Sequence, residues 1–238
     1  MSTQNIFTNK DSQAIEIREN HRVTKTVDLL PVHISTESLT AIDEKMIAYK
    51  YYNSFNFSKL AATLDNTKIT IGVTSAGRND GKTIVASNMA VSMARGYNQK
   101  IVIIDMNFKH PKLHKVFGTS QSPGMAEAIA HKEIHVIPTS VENLYLMTAG
   151  DSKQTPGIEQ TLPLRHILAS LRQEFDFVII DLGPIYPIED FPIHFINEID
   201  GLIGVIDSKK TKKADFNRIF KSLDESQFIG YVFNQVDK

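Results

Sequence analysis

Lys82 and Thr83 follow Gly81 at the end of a polar loop, Thr74–Gly81, and Gly-Lys-Thr in that setting can hold phosphate. An apolar, β-rich run, Ile69–Val73, precedes the loop. A helical pattern with Ile84, Met89, Val91 and Met93 as its apolar positions follows it. A helix that starts there leaves its first N–H groups unpaired at the positive end of its dipole, facing an incoming anion. Gly81 has no Cβ, so the backbone can come close to a phosphate. Lys82 can carry a full charge to the β and γ phosphates, and Thr83 can offer its hydroxyl to Mg²⁺. The cradle is read as Ser75, Ala76, Gly77, Arg78, Asn79, Asp80, Gly81, Lys82, Thr83 and Ile84. It departs from GxxxxGK[ST] at one position, where Ala76 stands for the first glycine. A chance Gly-Lys-Thr at a helix start is the alternative; the strand before and the helix after count against it.

Asp105 and Asp181 are the next candidates. Each closes an apolar run, Lys100–Asp105 (KIVIID) and Phe175–Asp181 (FDFVIID). Runs without alternation suit strands buried on both faces of a parallel sheet. Ligands of such sheets bind at the carboxyl ends of the strands, where both aspartates fall. Mg²⁺·nucleotide chemistry needs anionic oxygen near the phosphates. Taken alone, each aspartate also reads as the cap of a turn after a strand. With the loop, the two point to a magnesium-nucleotide site.

The elements that must position these residues alternate. A short helix begins at Pro123, Gly124 and Met125, and short strands or extended loops are expected at His135–Ile137 and Leu144–Met147. Leu164, Ile167, Leu168 and Leu171 fall at helical spacing within Thr161–Glu174. Gly183 and Pro184 break the second aspartate run, and a loop and helix follow. Gly201–Ile206 reads as a strand, Ala214–Leu223 as a helix and Ile229–Phe233 as a last strand. This alternation predicts an α/β fold, a doubly wound, mainly parallel sheet.

Three segments are expected: a flexible extension over 1–35, a helical segment over 36–66 and a nucleotide-binding domain over 67–238. Ser38 or Thr40 would cap the helical segment, which runs to about Leu64. Tyr49, Tyr51 and Tyr52 lie in it as packing residues at the domain edge; a phosphoacceptor or oligomerisation segment is the other reading.

Composition narrows the class. The 238 residues carry a net charge of -1, so no global field draws the chain to nucleic acid. There is no cysteine, so disulfides are excluded and a reducing compartment is expected. No apolar stretch approaches the roughly 20 residues that span a bilayer. The first residues, MSTQNIFTNKDSQ, lack the apolar core of a signal peptide. A cytoplasmic protein is expected, brought to a membrane only by a partner. His110 and His114, and His131 and His135, are four apart, but Pro111 interrupts the first pair and no glutamate completes a zinc motif. Lys209, Lys210, Lys212 and Lys213 read as a solvated helix start, with attraction to anionic lipid or an acidic partner tail as the other reading.

In order and spacing, the motifs resemble those of the bacterial tyrosine kinases, cytoplasmic partners of polysaccharide chain-length proteins. The family's loop looks like TSxxPGEGKT, and Thr74–Thr83 reads TSAGRNDGKT. Its IDxDxRxP is matched by IDMNFKHP at Ile104–Pro111, followed by Leu113 and His114. Phe117, Gly118, Pro123 and Gly124 fit its FG and PG landmarks, and Val141–Gly150 (VENLYLMTAG) is similar to NLxxLxAG. FDFVIIDLGPI resembles its Walker B strand, and VFNQVD, 232–237, resembles VLNxxD. The likeness runs from Thr67 to Lys238.

The resemblance implies a P-loop NTPase fold of the deviant Walker type shared with the MinD and ParA ATPases, with ATP and Mg²⁺ as cofactors. Lys82 and Thr83 would bind phosphate and Mg²⁺; Asp181 would hold the metal. Asp105 would lie near the γ-phosphate and the metal and accept the tyrosine proton, and Asn234 would stand near the base. Lys82, Asp105 and Asp181 are thus the catalytic candidates. Thr83, Asp105 and Asp181 are the metal candidates. The implied partner is a membrane polysaccharide co-polymerase that holds the chain at the inner face of the plasma membrane, with homo-oligomers as a further expectation and no nucleic acid.

The departures define the alternatives. Asn107 stands for the second aspartate of DxD, and an amide carries no charge and accepts no proton. Lys109 stands for the arginine and lacks its planar fork. Arg78-Asn79-Asp80 replaces Pro-Gly-Glu, no ExxRxxR is visible in 49–62, and no tyrosine-rich tail follows the last strand. A kinase of exopolysaccharide or capsule synthesis is the first reading. A non-catalytic ATP-binding regulator of a chain-length protein is the second. A positioning ATPase is the third; Gly77, where that branch carries a signature lysine, counts against it.

Overall fold

The longest apolar runs fold as the centre of a mixed, mainly parallel sheet. The computed structural model describes residues 14–17, 25–39, 68–97, 99–152, 155–212, 214–215, 223 and 227–235. In chain order they form strands β1 (Ala14–Ile17), β2 (Lys25–Asp28), β3 (Val32–Ile34) and β4 (Ile69–Ser75), then helix α1 (Lys82–Tyr97) and strand β5 (Ile101–Met106). Short helices α2 (Leu113–Val116) and α3 (Met125–His131) precede strands β6 (Ile134–Pro138) and β7 (Leu144–Met147). Helix α4 (Thr161–Glu174), then strands β8 (Phe177–Leu182), β9 (Gly201–Asp207) and β10 (Phe228–Asn234), complete the order. Eight strands make one sheet in the order β10-β9-β4-β8-β5-β7-β6-β3. Only β6 and β7 pair antiparallel within it among the described residues.

Alternate residues of the central strands point to opposite faces, so a run buried on both sides is apolar throughout. Ile101 and Ile103 of β5, with Ile69, Ile71 and Val73 of β4, pack against Val85, Met89 and Met93 of α1. Val102, Ile104 and Met106 face the other way, toward Met125 of α3 and Leu164, Ile167, Leu168 and Leu171 of α4. Each large aliphatic side chain buried so contributes about 1.5–3 kcal/mol. The helices thus cover both faces, and the strands' carboxyl ends are left to carry the site.

Three differences from the sequence reading have physical causes. The expected flexible extension ends in structure: β3 pairs in parallel with β6, Val32 against Ile134, and the N–H of Leu30 donates to Ser170 Oγ at 2.7 Å. Further upstream, β1 pairs antiparallel with β2. Between Pro184 and β9 the helix is not an α-helix but two 3₁₀ segments, Ile188–Asp190 and Ile193–Glu198. Pro187 and Pro192 stand directly before them and deny an α-helix the length it needs. The Ser38 hydroxyl donates to the carbonyls of Pro138 and Thr139, and the helix it is expected to cap begins outside the described residues. The rest of the expected helix to Leu64, with its tyrosines, lies outside the described residues. So does most of Ala214–Leu223, of which Ala214 and Asp215 are helical.

Candidate nucleotide-binding site

Strand register assembles the site. Asp105 of β5 lies opposite Asp181 of β8, and Val73 of β4 lies opposite Asp181 from the other side. The loop after β4 therefore emerges beside both carboxylates. It turns through Asn79 (φ 64) and Gly81 (φ 99). A Cβ on Gly81 would stand 2.1 Å from Nδ2 of Asn234, so that amide would have to swing off the Asp80 carbonyl, and the positive φ itself favours glycine.

The loop's shape is held by its own side chains. The Gly77 N–H donates to Asp80 Oδ2 at 2.9 Å, and Asn234 Nδ2 donates to the Asp80 carbonyl at 3.0 Å. Lys82 is 4% exposed, and its ammonium donates to Ser75 Oγ at 3.1 Å and the Gly77 carbonyl at 3.2 Å. Burial lowers its pKa; Asp181 and Asp80 act against that, and Lys112 and Arg78 add to it. Thr83 Oγ1 donates to Asp181 Oδ2 at 2.6 Å.

The two carboxylates are used differently. Oδ1 of Asp181 is buried with no hydrogen-bond partner. Burial pushes Asp181 up to about 6, while Thr83, Lys82 and Lys112 hold it down. Burial and the neighbouring Asp181 push Asp105 up to about 8. Three backbone N–H groups pull Asp105 the other way: Asn107 donates to Oδ1, and Lys112 and Leu113 donate to Oδ2, each at 3.0 Å. Asp105, expected at the γ-phosphate as proton acceptor and metal ligand, here braces the 107–113 loop. Asn107 is 6% exposed, and its amide oxygen has no partner.

A cavity of about 800 Å³ opens over the loop. Arg78, Lys82, Lys112, Lys115 and His110 line it, with no carboxylate among the described lining residues. Asn79, Gly81, Thr83, Ile84, Asn107, Val116, Pro184, Asn234 and Gln235 complete the wall. Of the cradle read from sequence, Ser75 serves Lys82 from behind. Ala76, Gly77 and Asp80 face a second cavity of about 300 Å³, shared with Arg78, Tyr186 and Lys210. Sequence reasoning missed Lys112, Lys115, His110 and Gln235. The basic residues flanking Pro111, beside a phosphate loop, were the signal for the first three. Lys210 of the basic run instead lies 3.5 Å from the buried Asp207 carboxylate.

The donor set fits Mg²⁺. A hard cation takes oxygen ligands, and the Thr83 hydroxyl, the unpaired Asp181 Oδ1 and the unpaired Asn107 oxygen are of that kind. The walls fit a polyphosphate, since cations and helix-start N–H groups meet anions.

No protein-family model matches the chain. The putative tyrosine-protein kinase CapB of Staphylococcus aureus is 25% identical over 219 residues, 89% of this chain and 92% of CapB. The tyrosine-protein kinase CpsD of Streptococcus pneumoniae serotype 4 is 29% identical over 198 residues, 80% of this chain and 85% of CpsD. This chain is a homologue of the bacterial tyrosine-protein kinases. The homologue's fold agrees. The kinase domain of VpsO superposes with a TM-score of 0.69 at 23% identity, covering 82% of this chain and 98% of that domain. MinD of Pyrococcus horikoshii, solved with Mg-ADP, gives a TM-score of 0.54 at 17% identity, covering 70% of each. The chain therefore shares its fold with the MinD and ParA ATPases.

Proposed function

We propose that the chain binds Mg·ATP and transfers the γ-phosphoryl group to a protein tyrosine in exopolysaccharide or capsule biosynthesis. The observation that carries this reading is Lys82 and Thr83 in the wall of a cation-lined cavity, with the buried Asp181 bonded to Thr83 behind it, in a homologue of CapB and CpsD. In the transfer, the bond from the γ-phosphorus to the bridging oxygen of ADP breaks. A bond to the phenolic oxygen forms and the phenolic proton passes to water, while ADP leaves with the bridging oxygen's electron pair. Catalysis of this kind is mostly positioning and charge neutralisation. Mg²⁺, which Thr83, Asp181 and Asn107 would hold, would supply charge neutralisation at the phosphate oxygens. Lys82 neutralises the same oxygens, the backbone of 78–83 cradles the phosphates and Asn234 lies toward the base. A membrane polysaccharide co-polymerase is the partner this reading calls for, and it would hold the chain at the cytoplasmic face of the membrane. No helix among the described residues is long and apolar enough to cross a membrane itself.

The test is transfer of labelled γ-phosphate to tyrosine by the full chain, with and without the cytoplasmic part of a candidate co-polymerase. Label is expected on tyrosine and lost in Lys82→Ala; equal label in that variant would overturn the site. Two observations favour a second reading, a nucleotide-binding regulator without catalysis: Asn107 puts an amide where the family has a carboxylate, and Asp105 is engaged by backbone. Activity that appears only in Asn107→Asp would select it.

A further inference from the structure

Lys112 is held at both of its ends. Its backbone N–H is fixed on Asp105 Oδ2 at 3.0 Å, and its ammonium donates to Asn79 Oδ1 at 2.9 Å, in the middle of the phosphate loop. It lines the large cavity together with Lys82 and Thr83. Its charge lowers the proton affinity of both Lys82 and Asp181, so the ammonium sits at their end of the site. That is the end where a phosphate-loop lysine reaches the β and γ phosphates. Lys109, at the motif position of the family's arginine, is exposed and is not among the lining residues.

We propose that Lys112 is a terminal-phosphate contact: its ammonium exchanges the Asn79 amide oxygen for a γ-phosphate oxygen, so the site tells a nucleoside triphosphate from a diphosphate. The proposal rests on the reading of the cavity as a nucleotide site. The exchange is downhill. The Asn79 bond is exposed and made to a neutral acceptor, and such bonds contribute little; a bond to a charged phosphate oxygen is stronger. The exchange needs only rotation of a flexible four-carbon stem, because Asp105 keeps the backbone in place. A diphosphate has no γ group to offer and leaves the ammonium on Asn79. Lys115 supplies the contrast, as a cation of the same cavity carried by α2.

Equilibrium binding of the full chain to ADP and to the non-hydrolysable β,γ-imido analogue of ATP, both with Mg²⁺, tests this in wild type, Lys112→Ala, Lys112→Arg and Lys115→Ala. Lys112→Ala should weaken the triphosphate analogue about tenfold and leave ADP little changed, the size expected of one charge-assisted hydrogen bond. Lys112→Arg should keep most of the preference, and Lys115→Ala should weaken both ligands alike. Equal loss for both ligands in Lys112→Ala, or no loss for either, overturns the assignment and leaves only a general field. Wild type that binds neither ligand overturns the nucleotide reading itself. Melting of each ligand-free variant is compared with wild type, so a folding defect is told apart from a lost contact.

Discussion

Thr83 donates its hydroxyl to Asp181 across 2.6 Å, and that bond ties the first turn of α1 to the end of β8. The two residues are 98 positions apart in the chain. Each is placed by a different rule: Thr83 by the helix start, Asp181 by a strand buried on both faces. Thr83→Val removes the donor and leaves the buried Asp181 carboxylate with neither oxygen paired. Leaving a buried group unsatisfied costs about 1–3 kcal/mol. Calorimetry should show that loss in Thr83→Val and little in Thr83→Ser, and Mg²⁺ should enhance nucleotide binding in the serine variant alone of the two. A valine variant as stable and as responsive to Mg²⁺ as wild type would remove the pair from the site.

The paired carboxylates make metal-free stability depend on pH in a defined direction. Both pKa values are raised in the fold, from 3.8 to about 6 for Asp181 and about 8 for Asp105. The folded state therefore binds protons that the unfolded chain has released. Their contribution is fully present below the unfolded pKa of 3.8 and is lost as pH rises through about 6 and then about 8. In a chelator, the melting temperature of wild type should fall relative to Asp181→Asn between about pH 5 and pH 9. The difference between the two proteins cancels the groups that titrate alike in both and leaves Asp181 together with its effect on Asp105. A difference that is flat with pH would show that the carboxylates ionise as freely in the fold as outside it.

Gly81 and Asn234 meet across the loop, and the contact separates two reasons for a glycine. Gly81→Ala meets an unfavourable φ of 99 and a Cβ position 2.1 Å from Asn234 Nδ2. Backbone strain of this type costs about 1–3 kcal/mol. Asn234→Ala clears the space but not the φ. In a double-mutant cycle read by denaturant unfolding, the double variant should be less damaged than the sum of the single changes. It should remain below Asn234→Ala alone by about the strain. Full additivity would mean that Asn234 does not press on Gly81.

The parts of this site legible in sequence are those set by local pattern. The strand-loop-helix around Lys82 follows from neighbouring residues, and α4 runs over Thr161–Glu174 as its spacing predicts. Asp105 and Asp181 were placed by the absence of alternation before them. What was not legible depends on residues far apart in the chain. Strand β3 is three residues long and exists through its pairing with β6, about a hundred residues later. Lys112 enters the cavity because Asp105 folds the 107–113 loop back over it, and nothing in the order of those residues announces that fold. Asn234, expected at the base, also donates to the phosphate loop, a contact spanning 154 positions.

Asp105 offers the sharpest separation of bracing from chemistry. Its two oxygens accept three backbone N–H groups from Asn107, Lys112 and Leu113. Asp105→Asn supplies one acceptor oxygen and one NH₂, which can only face at least one of those donors with another donor. Global stability can move either way, because the same change removes a buried charge beside Asp181 while weakening bonds to a charged acceptor worth about 1.5–3 kcal/mol each. Local exchange has one direction. Amide hydrogen exchange at Asn107, Lys112 and Leu113 should accelerate in Asp105→Asn, and affinity for the triphosphate should fall with it as Lys112 loses its fixed backbone. Asn107→Asp leaves the Asp105 carboxylate intact and should keep those three amides protected. Unchanged protection in Asp105→Asn, with activity lost, would return Asp105 to the role of proton acceptor at the γ-phosphate.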